Sequence, residues 1–140
     1  AVSENTAGIG RRVLKRFSFW VDLPEIDAAL VAQVMDGSKT GTVRPKSSWG
    51  VPLHQWDSAN FEVGDIAEFY DFGRTLRAHI KITDVYEFRF REIPEKLWRA
   101  EVCKSATHFQ DDHRLGWPDL DLTPDFALTA IHFEIVSKES

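Results

Sequence analysis

The sequence has few of the features on which secreted and membrane proteins depend. Cys103 is the one cysteine among 140 residues, which excludes an internal disulfide framework and a cysteine-rich zinc site. The N-terminal part is basic, but no apolar run has the length of a signal peptide or of a membrane-spanning helix. We therefore expect a soluble, cytoplasmic protein with no membrane partner.

The common cofactor and nucleophile signatures are absent too. The chain has no GxxxxGK[ST] phosphate loop and no GxGxxG after a strand, which argues against nucleoside-triphosphate and dinucleotide enzymes. It has no HExxH, and the spacing of His108 and His113 does not bring them onto one helical face. A GxSxG serine elbow is missing as well. We expect neither a metal ion nor a cofactor.

The charge limits the range of partners. The formal net charge is −5, which argues against a broad surface that follows a phosphate backbone. Lysine and arginine nevertheless outnumber aspartate and glutamate between residues 11 and 46. This distribution leaves room for a small basic pocket that takes a nucleotide-sized ligand.

The composition is typical of one globular domain with a real core. Hydrophobic residues make up 43% and aromatic residues 12%, and neither a repeat nor a long Gly/Ser/Pro linker divides the chain. The first predicted element is a helix at residues 22 to 35. Asp22 and Glu25 form a capping-box pair, apolar residues recur every four positions, and Gly37 is placed as the C-terminal cap.

Mostly strands are predicted after that helix. Alternation around Thr42 predicts a short strand that ends at Pro45, and residues 46 to 62 predict a long irregular excursion. Further strands are expected at residues 66 to 71, at 76 to 83 with a bent continuation to 90, and at 131 to 135. A helix is expected at residues 93 to 102 and a helical turn at 105 to 113. Antiparallel hairpins dominate, so we expect an α+β domain built on a small β-barrel with flanking helices.

The segment GSKTGTVR, residues 37 to 44, combines groups that can carry out acyl transfer without a metal. Lys39 can hold or remove a hydroxyl proton, Thr42 can attack a carbonyl, and Arg44 can hold a carbonyl or phosphate oxygen. A purely structural interpretation stays open, since a lysine after a helix stabilises the last carbonyls and threonine favours strands.

This segment resembles the GxKxxTxR motif of the ASCH domain superfamily, whose members have a PUA-like β-barrel. Further matching features follow in the family's order: Phe19-Trp20 before the first helix, Val63-Gly64-Asp65 at the next strand, Glu101, and then Ser105 and His113. The resemblance covers about residues 17 to 136. It implies one ASCH domain at residues 17 to 140 after an N-terminal extension at residues 1 to 16.

The superfamily includes small bacterial N4-acetylcytidine amidohydrolases. The resemblance implies Lys39, Thr42 and Glu101 as the catalytic set: Thr42 attacks the acetamide carbonyl, Lys39 accepts its proton, and Glu101 orients Lys39 or manages protons on the leaving amine. The substrate would be a small nucleoside. The residues assigned to substrate binding are Arg44, His113 and the aromatic residues Trp20, Trp49 and Tyr70, which can stack on a base.

The resemblance leaves a second function open, because other members are proposed to bind or cut RNA. In that case the same cationic cleft would hold the phosphates of single-stranded RNA. Three positions also depart from the amidohydrolase pattern: Pro45 replaces an acidic residue, Gly41 replaces a bulky apolar residue, and Val102 replaces a glycine.

Overall fold

The computed structural model describes residues 14–19, 23–48, 58 and 60–139. These residues form five strands and three helices. In chain order the elements are β1 (Lys15–Phe17), α1 (Pro24–Met35), β2 (Gly41–Pro45), a 3-10 turn (Lys46–Ser48), β3 (Ile66–Tyr70), β4 (Leu76–Arg89), α2 (Glu95–Ala100), α3 (Ala106–Gly116) and β5 (Ala127–Lys138). No helix of this described part is long and apolar enough to cross a lipid bilayer.

The strands build one mixed sheet in the order β1-β3-β4-β5-β2. The β1 strand runs parallel to β3, and the other neighbours are antiparallel. An irregularity in the register between Ile82 and Asp84 lies in the middle of β4, where the sequence predicts a bend. The α+β prediction is confirmed, but the described strands leave β1 and β2 as two edges, so a closed barrel is not shown.

Helices pack on both faces of the sheet. Val31 and Val34 of α1 belong to one buried cluster, and Leu97 of α2 and Phe109 of α3 belong to another. Strand β5 contributes side chains to both clusters. Ile131 and Phe133 belong to the cluster of α1, and Leu128 and Ala130 belong to the cluster of α2 and α3. Because successive side chains of a strand point to opposite faces, the clusters lie on opposite sides of the sheet.

The predicted elements are present with shifted ends. The α1 helix begins at Pro24 with Leu23 as the N-cap and no side-chain cap, and Asp22 of the predicted capping box lies outside the described residues. Gly37 follows the helix with a φ of 87°, the left-handed conformation expected of a glycine cap.

Three elements differ from the prediction. The β1 strand was not predicted, and β5 is several residues longer at both ends than the predicted closing strand. The expected helical turn is a full helix, α3, which begins after its N-cap Ser105. Phe109 is the one fully buried residue of α3, and most of the other side chains of this helix are polar, so the sequence prediction ended at residue 113.

Candidate active site

A backbone turn after α1 directs Lys39 into the protein. Ser38 hydrogen-bonds to Asp36, and the Lys39 N–H donates to the carbonyl of Gln33 at 3.0 Å. The Lys39 side chain is only 3% exposed, and its Nζ donates to Glu101 Oε1 at 3.0 Å. Two residues that are far apart in the chain therefore form a buried ion pair.

Glu101 reaches this position because α2 ends against β2. The Thr40 N–H donates to the carbonyl of Ala100 at 2.9 Å, and a Cβ on Gly41 would lie 2.9 Å from the Ala100 Cβ. This close approach requires glycine, which explains why Gly41 is not the bulky residue of the amidohydrolase pattern. It also brings Glu101, the next residue after Ala100, beside Lys39.

The turn after Glu101 has the hydrogen bonds of a Schellman motif. The Cys103 N–H donates to the Trp98 carbonyl at 2.8 Å, and the Val102 N–H donates to the Arg99 carbonyl at 3.0 Å. Val102 has a φ of 61° in the position that glycine usually holds. A β-branched residue is strained in this left-handed conformation, so Val102 carries a local cost beside the candidate site.

His113 approaches the other oxygen of the same carboxylate. Its Nε2 lies 3.6 Å from Glu101 Oε2, and its Nδ1 lies 2.7 Å from the carbonyl oxygen of Phe109. Burial opposes the charge on Glu101, but attraction to Lys39 and then to His113 outweighs it, so the pKa of Glu101 is lowered. Burial likewise opposes protonation of His113, but the attraction of the Glu101 carboxylate outweighs it, so the pKa of His113 is raised.

Thr42 lies on β2 opposite Ile131 and is 9% exposed. Among the described residues its side chain makes no hydrogen bond, so the hydroxyl is available to a ligand. Lys39, Thr42, Glu101 and His113 all line one cavity of about 460 Å³. This volume lies in the range of small-molecule sites.

The cavity lining combines polar and apolar side chains. Its apolar members include Phe19, Ile26, Leu30, Val102 and Trp117. Several residues of the cavity lining were not predicted as site residues, among them Gln33, Ile26, Leu30 and Trp117. Their sequence pattern is that of ordinary helix and loop positions, and only the packing of α1 and α3 brings them to the cavity.

Arg44 also lines the cavity, but much of its guanidinium is engaged by the protein. Nη2 donates to the Ser18 carbonyl at 3.2 Å and Nη1 to the Ser58 carbonyl at 3.3 Å. The group lies over the rings of Phe17 and Phe61, at 5.1 and 5.4 Å from their centroids. Arg44 therefore links the edge strand β2 to the segment around the opposite edge strand, β1.

The three aromatic residues predicted to bind substrate have different outcomes. Trp20 and Trp49 lie outside the described residues. Tyr70 lies in β3 and donates its hydroxyl to Glu68 at 2.9 Å. It does not belong to the cavity lining in the described part of the chain. The structure thus unites Lys39, Thr42, Glu101, Arg44 and His113 but leaves Tyr70 apart.

A group at the cavity mouth has the composition of a metal site. Cys103, His108 and Asp112 each offer a ligand atom, and these atoms lie within 4.8 Å of one another. His108 Nδ1 accepts from the Lys104 N–H at 2.9 Å, so a neutral ring carries its proton on Nε2, 3.2 Å from Asp112. Burial, then Glu101 and Asp112, raise the pKa of Cys103 to about 11. The structure therefore brings together three potential metal ligands where the sequence predicts no metal site.

The chain thus has an α+β fold, a mixed sheet with helices on both faces, in which strand β2 meets the end of α2 at a buried Lys–Glu pair. The solved structures that share this fold include two proteins. A DUF984-family protein of Enterococcus faecalis V583 matches with a TM-score of 0.76 and 19% identity over 96% of this chain and 85% of that one. An ASCH domain of Lactobacillus crispatus JV V101 matches with a TM-score of 0.75 and 14% identity over 97% and 87%.

These likenesses confirm the ASCH-like fold that the sequence predicts, and at such identities they show the fold alone. No protein-family model matches the sequence, and no curated protein is significantly similar to it.

Proposed function

We propose that the protein hydrolyses the amide of N4-acetylcytidine or of a related acylated nucleoside without a metal ion. The observation that carries this proposal is the buried Lys39–Glu101 pair in a nucleoside-sized cavity that also contains the unbonded hydroxyl of Thr42. A base and a hydroxyl nucleophile in one enclosed site are the requirements of covalent acyl transfer.

In the proposed mechanism the Thr42 hydroxyl attacks the acetamide carbonyl while the neutral amine of Lys39 takes its proton. The tetrahedral intermediate collapses with cleavage of the carbon–nitrogen bond. Lys39 returns the proton to the leaving cytosine amine, and the acetyl group stays on Thr42 as an ester. Water, deprotonated by Lys39, then hydrolyses the ester to acetate and restores the hydroxyl. Glu101 holds Lys39 in place at 3.0 Å throughout.

The cavity walls suit the flat base. Phe19, Leu30 and Trp117 provide apolar surface on which a pyrimidine can pack. Gln33 lines the same cavity, and its amide can donate to and accept from a base edge.

The test is release of acetate and cytidine from N4-acetylcytidine by purified protein, followed by mass spectrometry. We expect Lys39→Met, Thr42→Val and Glu101→Gln each to lower kcat/KM by about a hundredfold or more. Thr40→Val is the matched control, because Thr40 lies in the same segment but is exposed. Absence of acetate at high enzyme concentration, or equal loss in the Thr40 control, would refute the proposal.

Single-stranded RNA binding or cleavage is the second candidate. It is favoured by the cations that line the cavity, Lys39, Arg44 and protonated His113, which outnumber Glu101 and Asp112. Against it, Lys15, one of the basic N-terminal residues, is paired with Asp65 at 2.6 Å. RNA affinity that falls steeply with salt would support this function, and no binding at low salt would exclude it.

A further inference from the structure

Both ring nitrogens of His113 face hydrogen-bond acceptors. Nδ1 lies 2.7 Å from the carbonyl oxygen of Phe109, which can only accept, so Nδ1 must carry a proton. Nε2 lies 3.6 Å from Glu101 Oε2. A neutral ring has one proton, which leaves the Nε2 lone pair directed at a carboxylate oxygen.

The two oxygens of the Glu101 carboxylate differ in their hydrogen bonds. Glu101 Oε1 accepts from Lys39, whereas Oε2 is buried and has no hydrogen-bond partner among the described residues. An unpaired buried carboxylate oxygen is costly, and the titratable group beside that oxygen is His113 Nε2. A proton on Nε2 converts a repulsive contact into an ion pair that needs only a small approach to become a hydrogen bond.

We infer that His113 acts as an imidazolium that holds Glu101 ionised and turned toward Lys39. In this role His113 is a positioning residue that works through Glu101, rather than a residue that contacts the substrate. The inference deepens the proposed hydrolysis and rests on it for its catalytic meaning, although the protonation state itself does not depend on any substrate.

The surroundings of His113 agree with this role. Its ring stacks on Phe109 at 4.0 Å, meets the edge of Trp117 at 5.1 Å, and is 14% exposed, so little of it is left for a ligand. Two charged groups from other elements act on it: Glu101 at the end of α2 favours the charged ring, and Lys39 before β2 opposes it. The attraction to Glu101 prevails.

The charge count has a consequence for the chemistry. Once Lys39 has taken the Thr42 proton, one carboxylate lies between two cations, so Lys39, Glu101 and His113 together carry one surplus positive charge. A surplus positive charge in the cavity stabilises the oxyanion that develops when a hydroxyl attacks an amide carbonyl.

Nuclear magnetic resonance titration of the histidine rings tests the protonation state directly. In the wild-type protein we expect the pKa of His113 to lie above 6.5, the ordinary histidine value, with protons on both nitrogens below it. Glu101→Gln should move the His113 midpoint down by about one pH unit or more, and Lys39→Met should move it up. Thr40→Val, at an exposed position of the same segment as Lys39, is the control variant and should leave the His113 midpoint unchanged. A neutral His113 at pH 6, or a midpoint insensitive to Glu101→Gln, would overturn the inference.

Kinetics separate a positioning role from substrate contact. His113→Gln keeps a donor but no charge, and we expect it to lower kcat for acetate release with little change in KM; a rise in KM alone would mean that His113 contacts substrate. The two proposals also fail separately. A protonated His113 without acetate release rejects the hydrolase function alone, and acetate release with a neutral His113 rejects the positioning role alone.

Discussion

Gly41 and Ala100 touch so closely that the motif strand and the end of α2 leave no room for another carbon atom between them. A Cβ on Gly41 would lie 2.9 Å from the Ala100 Cβ. The neighbouring Thr40 N–H donates to the Ala100 carbonyl at 2.9 Å. This contact fixes the distance between two parts of the chain and thereby holds Lys39 within hydrogen-bond distance of Glu101.

Gly41→Ala should therefore disturb the site as well as the fold. The added methyl group would push α2 away from β2, which we expect to cost about 1–3 kcal/mol in the free energy of unfolding. Acetate release should fall as well, because Lys39 and Glu101 would separate. Urea unfolding measures the first effect. Gly73→Ala is the control, since its nearest neighbour would be at an ordinary 3.6 Å. Equal stability of the two variants would contradict the packing argument.

Val102→Gly should stabilise the protein. The left-handed conformation of Val102, with a φ of 61°, destabilises the folded state by about 1–3 kcal/mol, and glycine would relieve this strain. Glycine is also more flexible in the unfolded chain, which lowers the gain by roughly 0.5–1 kcal/mol. We expect a net gain of about 1 kcal/mol in urea unfolding. Val102→Ala keeps the Cβ and should give a smaller gain. A loss of stability in the glycine variant would show that the valine side chain contributes more by packing than it costs by strain.

The buried Lys39–Glu101 pair should behave differently from an exposed one. Lys39→Met or Glu101→Gln alone leaves a buried group without its partner and should cost about 3–5 kcal/mol, while the double variant should cost less than the sum. Lys96 and Asp84, 2.7 Å apart but 59% and 42% exposed, form the comparison pair. Breaking that pair should cost less than about 1 kcal/mol. Equal costs for the two pairs in urea unfolding would mean that burial does not govern their strength.

The pH dependence of stability has opposite signs for the two titrating neighbours. The pKa of Glu101 is lowered from 4.5, so its stabilisation is present above that value and is lost as pH falls through the folded pKa. The pKa of His113 is raised from 6.5, so its stabilisation is present below that value and is lost as pH rises through the folded pKa. The Tm difference between wild type and His113→Gln should therefore be largest between these values and shrink at higher pH. A difference that grows with pH would contradict this assignment.

Arg44→Lys should weaken the connection between the edge strands. A lysine keeps the charge but cannot bond to the carbonyls of Ser18 and Ser58 together or lie flat over Phe17 and Phe61, so we expect a loss of about 2 kcal/mol. Arg89→Lys is the matched control, because Arg89 is 46% exposed and bonds to the Asp125 carbonyl. That variant should change the stability by less than about 0.5 kcal/mol. Indistinguishable unfolding curves for the two variants would remove the structural role of Arg44.

Local patterns predicted the elements whose apolar positions repeat. The four-residue spacing located α1 but not its buried face, since Ile26 is exposed whereas Val31 is buried. Alternation located the first half of β4, because that strand buries one face against the core. The same reasoning missed β1, which has three residues and therefore too little alternation to recognise. It shortened α3 because most of that helix is polar and only Phe109 is fully buried.

The candidate site was predictable in part. The motif indicated Lys39, Thr42 and Arg44, and the resemblance added Glu101 and His113, all of which line one cavity. The ring of Tyr70 is suited to stacking on a base, but Tyr70 is the last residue of β3 and does not line that cavity. The sequence gives no sign of this, because the place of β3 in the sheet depends on the tertiary structure. The strain at Val102 could be recognised only from the φ angle of its backbone. The sequence analysis marked the position only as one where valine replaces a glycine.

The sequence by itself determined which segments form helices and strands and which residue types are available for acyl transfer, because these follow from spacing along the chain. Only the tertiary structure decided that Glu101 lies between Lys39 and His113 and that the guanidinium of Arg44 bonds to the protein. Each of these depends on distances between residues far apart in the chain, and those distances are set by packing contacts such as that of Gly41 with Ala100.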